Sequence, residues 1–125
     1  MIDFKNASFV KLRPVDRSGL VSLVEPMLIP DEQIVATFQG IRDGVIFTDK
    51  RIISINVQGI TGKRKDFTTM PYSKIQVFSV ETAGHFDLDA ELDLWFSGLG
   101  RVRFEFTGRT DISQICKLIS TYTLK

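Results

Sequence analysis

The densest run of chemically capable side chains lies in the last third of the chain. Asp87, Asp89, Glu91 and Asp93 recur at every second position, so a strand would carry all of these carboxylates on one face. Clustered carboxylate oxygens are what Ca²⁺ and Mg²⁺ require. Alternate residues of a strand sit ~6.6 Å apart, however, too far for the strand alone to hold one ion. The plainer reading is a solvated strand face, partly neutralised by Arg101 and Arg103 across a hairpin. His85 is the only histidine. A catalytic base needs a nucleophile and an orienting partner. Glu81 and Asp87 are near in sequence, but no persuasive nucleophile accompanies them. His85 therefore reads as a solvent-side residue at a strand start. Cys116, the only cysteine, falls on or beside an apolar helical stripe, where a cysteine behaves as a small hydrophobe. No second cysteine or nearby histidine suggests zinc or redox work. The residues point to no enzyme, no metal and no cofactor.

A second cluster is basic. Gly59-Ile60-Thr61-Gly62-Lys63-Arg64 invites a phosphate-loop reading. That loop needs four residues between its glycines and Ser or Thr after the lysine. This sequence has two, and Arg64. What remains is a glycine turn followed by Lys63, Arg64 and Lys65. These cations, with Arg42 elsewhere, could meet a lipid headgroup or another phosphorylated ligand. The plainer reading is a solvated loop whose charges protect a strand edge. Trp95 ends the acidic ladder, near Leu99 in the following turn. A tryptophan beside an apolar turn residue suits an interface anchor. Alternatively, a one-residue bulge switches its face and Trp95 caps the core.

The elements that must position these groups follow from composition and periodicity. The chain has 125 residues, 43% of them hydrophobic and 25% charged, with a formal net charge of +1. This is one domain's worth of chain. It can bury roughly two-thirds of its unfolded surface without a disulfide or metal. Near-neutral charge argues against a nucleic-acid binder and gives no bulk attraction to an anionic membrane. Met1 to Val10 has no apolar run suited to a signal peptide or span, so the cytoplasm is the expected compartment.

Leu20, Leu23, Val24, Met27 and Leu28 have helical spacing, and Pro26 and Pro30 end that helix. Residues 1–30 thus read as a helical extension packed on a domain spanning residues 31–125. From Gln33 the period changes to two. Strands are expected at Ile34–Gln39, Gly44–Thr48, Arg51–Val57, Arg64–Met70 and Lys74–Thr82. In the last of these, Ile75, Val77 and Ser79 should share one face. A hairpin follows, turning at Ser97-Gly98-Leu99-Gly100. Ile112, Ile115, Cys116, Leu118, Ile119 and Tyr122 form one broad helical stripe, with Asp111 and Gln114 suited to a capping box. The expected fold is mainly β: about seven strands curled into a barrel or sandwich, with a helix at each end of the chain.

Four segments in order carry a resemblance. They are Asp43-Gly44-Val45-Ile46-Phe47-Thr48-Asp49-Lys50-Arg51-Ile52-Ile53, Gln58-Gly59-Ile60-Thr61-Gly62-Lys63, Pro71-Tyr72-Ser73-Lys74-Ile75, and Phe78-Ser79-Val80-Glu81-Thr82-Ala83-Gly84. Together they resemble the bacterial pleckstrin-homology-like (PH-like) domains of single-domain type, from about Asp31 to Lys125. The resemblance implies two near-orthogonal antiparallel sheets of seven strands, with a C-terminal helix across one corner. It makes Thr48, Asp49, Lys50, Arg51, Gly59, Gly62, Pro71, Tyr72 and Gly84 the family-motif residues. Eukaryotic members often bind phosphoinositides through basic residues near the first hairpin. Here Gln39-Gly40-Ile41-Arg42-Asp43 holds Arg42 alone, so that pattern is not reproduced. Bacterial members imply protein-interaction modules in closed homo-oligomeric rings, here a pentamer. Trp95, Leu99, Arg101 and Arg103 are then the candidate interface.

Overall fold

The computed structural model describes residues 9–16, 18–41, 43–58, 64–84, 89–108 and 110–124. In chain order the elements are β1 (Phe9–Pro14), α1 (Ser18–Val24), a 3₁₀ turn (Glu25–Met27), β2 (Ile34–Gln39), β3 (Asp43–Thr48), β4 (Arg51–Gln58) and β5 (Arg64–Pro71). A second 3₁₀ turn (Tyr72–Lys74), β6 (Ile75–Thr82), β7 (Ala90–Phe96), β8 (Gly100–Phe106) and α2 (Ile112–Thr123) complete them. The fold is mainly β with a helix near each end, as the periodicity predicts.

Two features differ from expectation. Among the described residues there are eight strands, in one hydrogen-bonded order β5-β4-β3-β2-β1-β8-β7-β6, rather than seven in two separate sheets. The additional strand is β1, inside the stretch read as a helical extension. It joins two halves of the sheet. Phe9 and Leu12 pair in parallel with Phe104 and Phe106 of β8, and Arg13 and Pro14 then pair antiparallel with Gln39 and Phe38 of β2. The register shifts between Phe9 and Leu12, where Lys11 takes a left-handed φ of 53°. A bulge of this kind bends a strand, which lets one strand serve both halves. The second difference is closure. Among the described residues no ladder joins β5 to β6, so the sheet is open and not a closed barrel.

The main core lies on one face of the sheet. Phe9, Leu12, Phe38, Phe47, Leu92, Phe104 and Phe106 fill it, and α2 covers it with Ile112, Ile115 and Ile119. Apolar spacing at every third and fourth residue is what lets α2 present that stripe. Asp111 caps it by accepting from the Gln114 N–H at 3.2 Å. A second, smaller core lies on the opposite face, where Leu20 and Val24 of α1 cover Ile46, Ile53 and Ile55. Val45, Ile46 and Phe47 are therefore all buried, and β3 reads as a continuous apolar run because both its faces are covered. Gly44 permits the close approach of α1. A Cβ there would lie 2.6 Å from Leu20 Cδ1 and 3.2 Å from the Phe38 carbonyl.

The β7–β8 hairpin forms where alternation places it, with Leu92, Leu94, Val102 and Phe104 inside. In β6 the register shifts between Ile75 and Val77. Ile75 is buried while Val77 is exposed, so these two do not share a face as strict alternation predicts. Because Leu12 is fully buried at the junction of the halves, Leu12→Ala should cost about 2–5 kcal/mol in urea-induced unfolding. A loss under about 0.5 kcal/mol, the size of a surface substitution, would place β1 outside the cooperative unit.

Candidate functional site

The motif Thr48-Asp49-Lys50-Arg51 turns the chain from β3 into β4, and its side chains are occupied with the fold itself. The Thr48 hydroxyl accepts from the backbone N–H groups of Lys50 and Arg51, both at 3.0 Å, and donates to Glu32 Oε2 at 2.7 Å. Arg51 grips the same carboxylate with Nε to Oε2 and Nη2 to Oε1, each 3.0 Å. Its Nη2 also donates to the Met27 carbonyl at 2.7 Å, and Nη1 to Thr69 Oγ1 at 3.1 Å. Asp49 accepts from the Gln33 N–H at 2.9 Å. Lys50 is exposed.

Glu32 reaches this cluster through a tight turn. Its N–H donates to the Ile29 carbonyl at 3.1 Å, with Pro30 second in the turn and Asp31 at a left-handed φ of 68°, as a type II turn requires. The Ile29 N–H returns a bond to Glu32 Oε1 at 3.1 Å. The Glu32 side chain is 0% exposed and that of Arg51 17%. Burial pushes the Glu32 carboxyl upward, but hydrogen bonds from Arg51, Thr48 and the Ile29 N–H outweigh it and hold the group below its ordinary 4.5.

Tyr72, from the Pro71-Tyr72 motif, donates its hydroxyl to the Thr48 carbonyl at 2.7 Å. Its ring stacks on Tyr122 of α2, with centroids 5.2 Å apart. Burial, then the nearby Tyr122, Asp49 and Glu32 charges, drive its ionisation well above the ordinary range. Gly84 takes a left-handed φ of 104° just after β6, which a side chain would resist. These motif residues are structural. Gly59 and Gly62 lie outside the described residues.

The candidate catalytic groups do not converge. On β7, Asp93 accepts two bonds from Arg103, at 2.8 and 3.0 Å, and Glu91 lies 3.6 Å from the same guanidinium. Asp89 accepts from the Gly108 N–H at 2.7 Å. Among the described residues no three His, Cys, Asp or Glu groups could hold a metal ion together. His85 and Asp87 lie outside the described residues. The Cys116 thiol is half-buried, and burial pushes it up, away from reactive thiolate.

Of the candidate interface residues, Trp95 and Arg101 are cross-strand partners and Arg103 lies along the same strand as Arg101, whereas Leu99 packs against the main core. The β7–β8 register has no shift, so Trp95 stays on the outer face, opposite Phe96 and between Val77 of β6 and Arg101 of β8. Its side chain therefore lies on the face away from the main core. Trp95 is half-buried, Arg101 exposed and Val77 58% exposed. Arg103 is committed to Asp93 and Glu91. Leu99, in the turn, lines a cleft of about 330 Å³ with Met70, Pro71, Lys74 and Phe96. The cleft opens between edge strand β5 and the β7–β8 turn. Val77 is the apolar group that alternation missed, because the bulge that exposes it leaves no mark in the sequence. Of the anion-binding set, Arg64 and Lys65 are exposed at the start of β5. They form no ion pair among the described residues. Arg42 and Lys63 lie outside those residues.

Comparison with known proteins now places the chain. The family model for the bacterial PH domain matches residues 3–123. The chain belongs to the bacterial PH domain family. This PH domain is 46% identical over 96 residues to the uncharacterized protein YjqA of Bacillus subtilis, covering 75% of this chain and 77% of that one. It is similar to the crystal structure of a DUF1696-family protein with a pleckstrin-homology domain from Shewanella loihica, at 38% identity and a TM-score of 0.75, over 91% of this chain and 98% of that one. It also resembles a pleckstrin homology domain from Shewanella amazonensis, at 40% identity and a TM-score of 0.63, over 96% and 94% of the two chains. No helix among the described residues is long and apolar enough to cross a membrane.

Removing one partner of a buried ion pair strands the other. Arg51→Ala should therefore cost this PH domain about 3–5 kcal/mol in chemical denaturation. A carboxyl whose folded pKa lies below its unfolded value stabilises the fold above the unfolded value, and the contribution fades as pH falls through the folded one. The wild type should thus lose stability below about pH 4.5, and Glu32→Gln should lose less across that window. Parallel stability profiles for the two proteins would contradict the assignment.

Proposed function

We propose that this PH domain is a non-catalytic interaction module of the cytoplasm that assembles with further copies of itself into a ring, a pentamer, which presents its surface to a protein partner. The observation that carries the reading is the open sheet, which ends in two different edge strands, β5 and β6. An unpaired edge is a ready template for another strand. Two non-equivalent edges favour a head-to-tail contact, and head-to-tail contacts close into rings when the rotation permits. Val77 supports this, being 58% exposed on edge strand β6 with Trp95 beside it. Tyrosine and tryptophan anchors of this kind dominate many interfaces. The PH-like fold and the scattered carboxylates both favour binding over catalysis.

Light scattering on a sizing column, across a concentration series, should show a mass that rises to a plateau several times 14.2 kDa. Val77→Glu should lower that mass and leave the circular dichroism spectrum unchanged. A monomer at every concentration would sink the reading. If that monomer sedimented with anionic vesicles in a salt-sensitive way, the exposed Arg64 and Lys65 would point to an anionic lipid or phosphorylated ligand instead.

A further inference from the structure

We infer that β5 of one copy pairs antiparallel with β6 of the next, in the register that sets Lys65 opposite Glu81. The inference rests on the ring assembly proposed above and specifies its contact.

Both edge strands are eight residues long. Charge is distributed oppositely along them. β5 begins with the exposed Arg64 and Lys65, followed by Asp66 on the other face, and β6 carries the exposed Glu81 one residue before its end. Glu81 is the outermost of a row of acids, Glu81, Glu91 and Glu105, that crosses β6, β7 and β8. Like charges side by side on a sheet are destabilising. Arg103 lies 3.6 Å from Glu91, but among the described residues no cation forms an ion pair with Glu81. Lys65 and Glu81 stand on the two terminal strands of the sheet and form no ion pair with each other. An antiparallel neighbour brings them together. A parallel neighbour would set Arg64 and Lys65 against the uncharged start of β6 and leave Glu81 beside Met70 and Pro71.

The faces agree independently. Lys65, Phe67 and Thr69 pair with Val57, Ile55 and Ile53, and Ile55 and Ile53 point toward α1, away from the main core. Val77, Ser79 and Glu81 lie opposite Trp95, Asp93 and Glu91, again on the side away from that core. Placing Lys65 opposite Glu81 puts Phe67 opposite Ser79 and Thr69 opposite Val77, so outward residues meet outward residues throughout. A one-residue slip would turn every pair to the wrong face. The irregular positions coincide as well. Pro71, which cannot donate to a ladder, falls against Ile75, beside the bulge in β6. The rest of the two strands is left regular.

The test is a charge swap read by light scattering over a concentration series. Lys65→Glu alone and Glu81→Lys alone should each raise the midpoint concentration of assembly about tenfold, as an attraction becomes a repulsion. The double variant carries both changes in one chain and recreates the pair with its signs reversed. Its midpoint should return to that of the wild type. If both single variants assemble like the wild type, or if the double variant is not restored, the register is wrong while the assembly stands. A monomeric wild type would remove both. Should a single variant fail to fold, Lys65→Cys with Glu81→Cys in a Cys116→Ala chain replaces it. Oxidation should then give covalent oligomers, since directly opposed strand residues lie within disulfide reach. Monomer alone on a non-reducing gel would overturn the register.

Discussion

The buried ion pair between Glu32 and Arg51 is the constraint on which the rest of the architecture depends. A fully buried carboxylate is expensive unless every lone pair is used. Here Arg51, Thr48 and the Ile29 N–H use them. Satisfying that one group fixes the 3₁₀ turn after α1 through Met27, the loop before β2, the β3–β4 turn and edge strand β5 through Thr69. Tyr72 carries the same constraint to α2, through the Thr48 carbonyl on one side and the Tyr122 ring on the other. The most recognisable sequence in the protein therefore holds elements together, with Arg51 turned inward to do so.

A fold anchored in this way leaves its interaction capacity elsewhere. β1 holds the two halves of the sheet together, and both faces of β3 are consumed by packing. The outer face of β6–β8 and the two terminal edges remain open. Their side chains differ in kind from those of the core: one exposed valine, one half-buried tryptophan and charges arranged in rows. Rows of charge set orientation and partner choice more than raw affinity.

Much of this was legible in the sequence. The β7–β8 hairpin and α2 were, because alternation and the three–four spacing are local signals that tertiary packing then reinforced. The β3–β4 turn was legible as a turn, but its ion pair was not, since Glu32 sits far upstream in a loop with no periodicity. β1 is not legible, because one partner, β8, lies at the other end of the chain in parallel pairing that leaves no turn, and the other, β2, is separated from it by α1. The sequence puts Trp95 just before the Ser97–Gly100 turn and leaves two orientations open. Only the unbroken β7–β8 register decides between them, and no residue type encodes the absence of a bulge. Of the acidic ladder, Asp93 and Glu91 share the Arg103 guanidinium and Asp89 accepts from the Gly108 N–H, contacts that alternation alone does not reveal.

The most direct measurement is amide hydrogen exchange at two protein concentrations, one above and one below the assembly midpoint. Exchange reports local opening strand by strand. The account predicts that the outward amides of β5 and β6 slow at high concentration, while β3 and β4 are protected equally at both. Edge strands that exchange at the same rate at every concentration would contradict it.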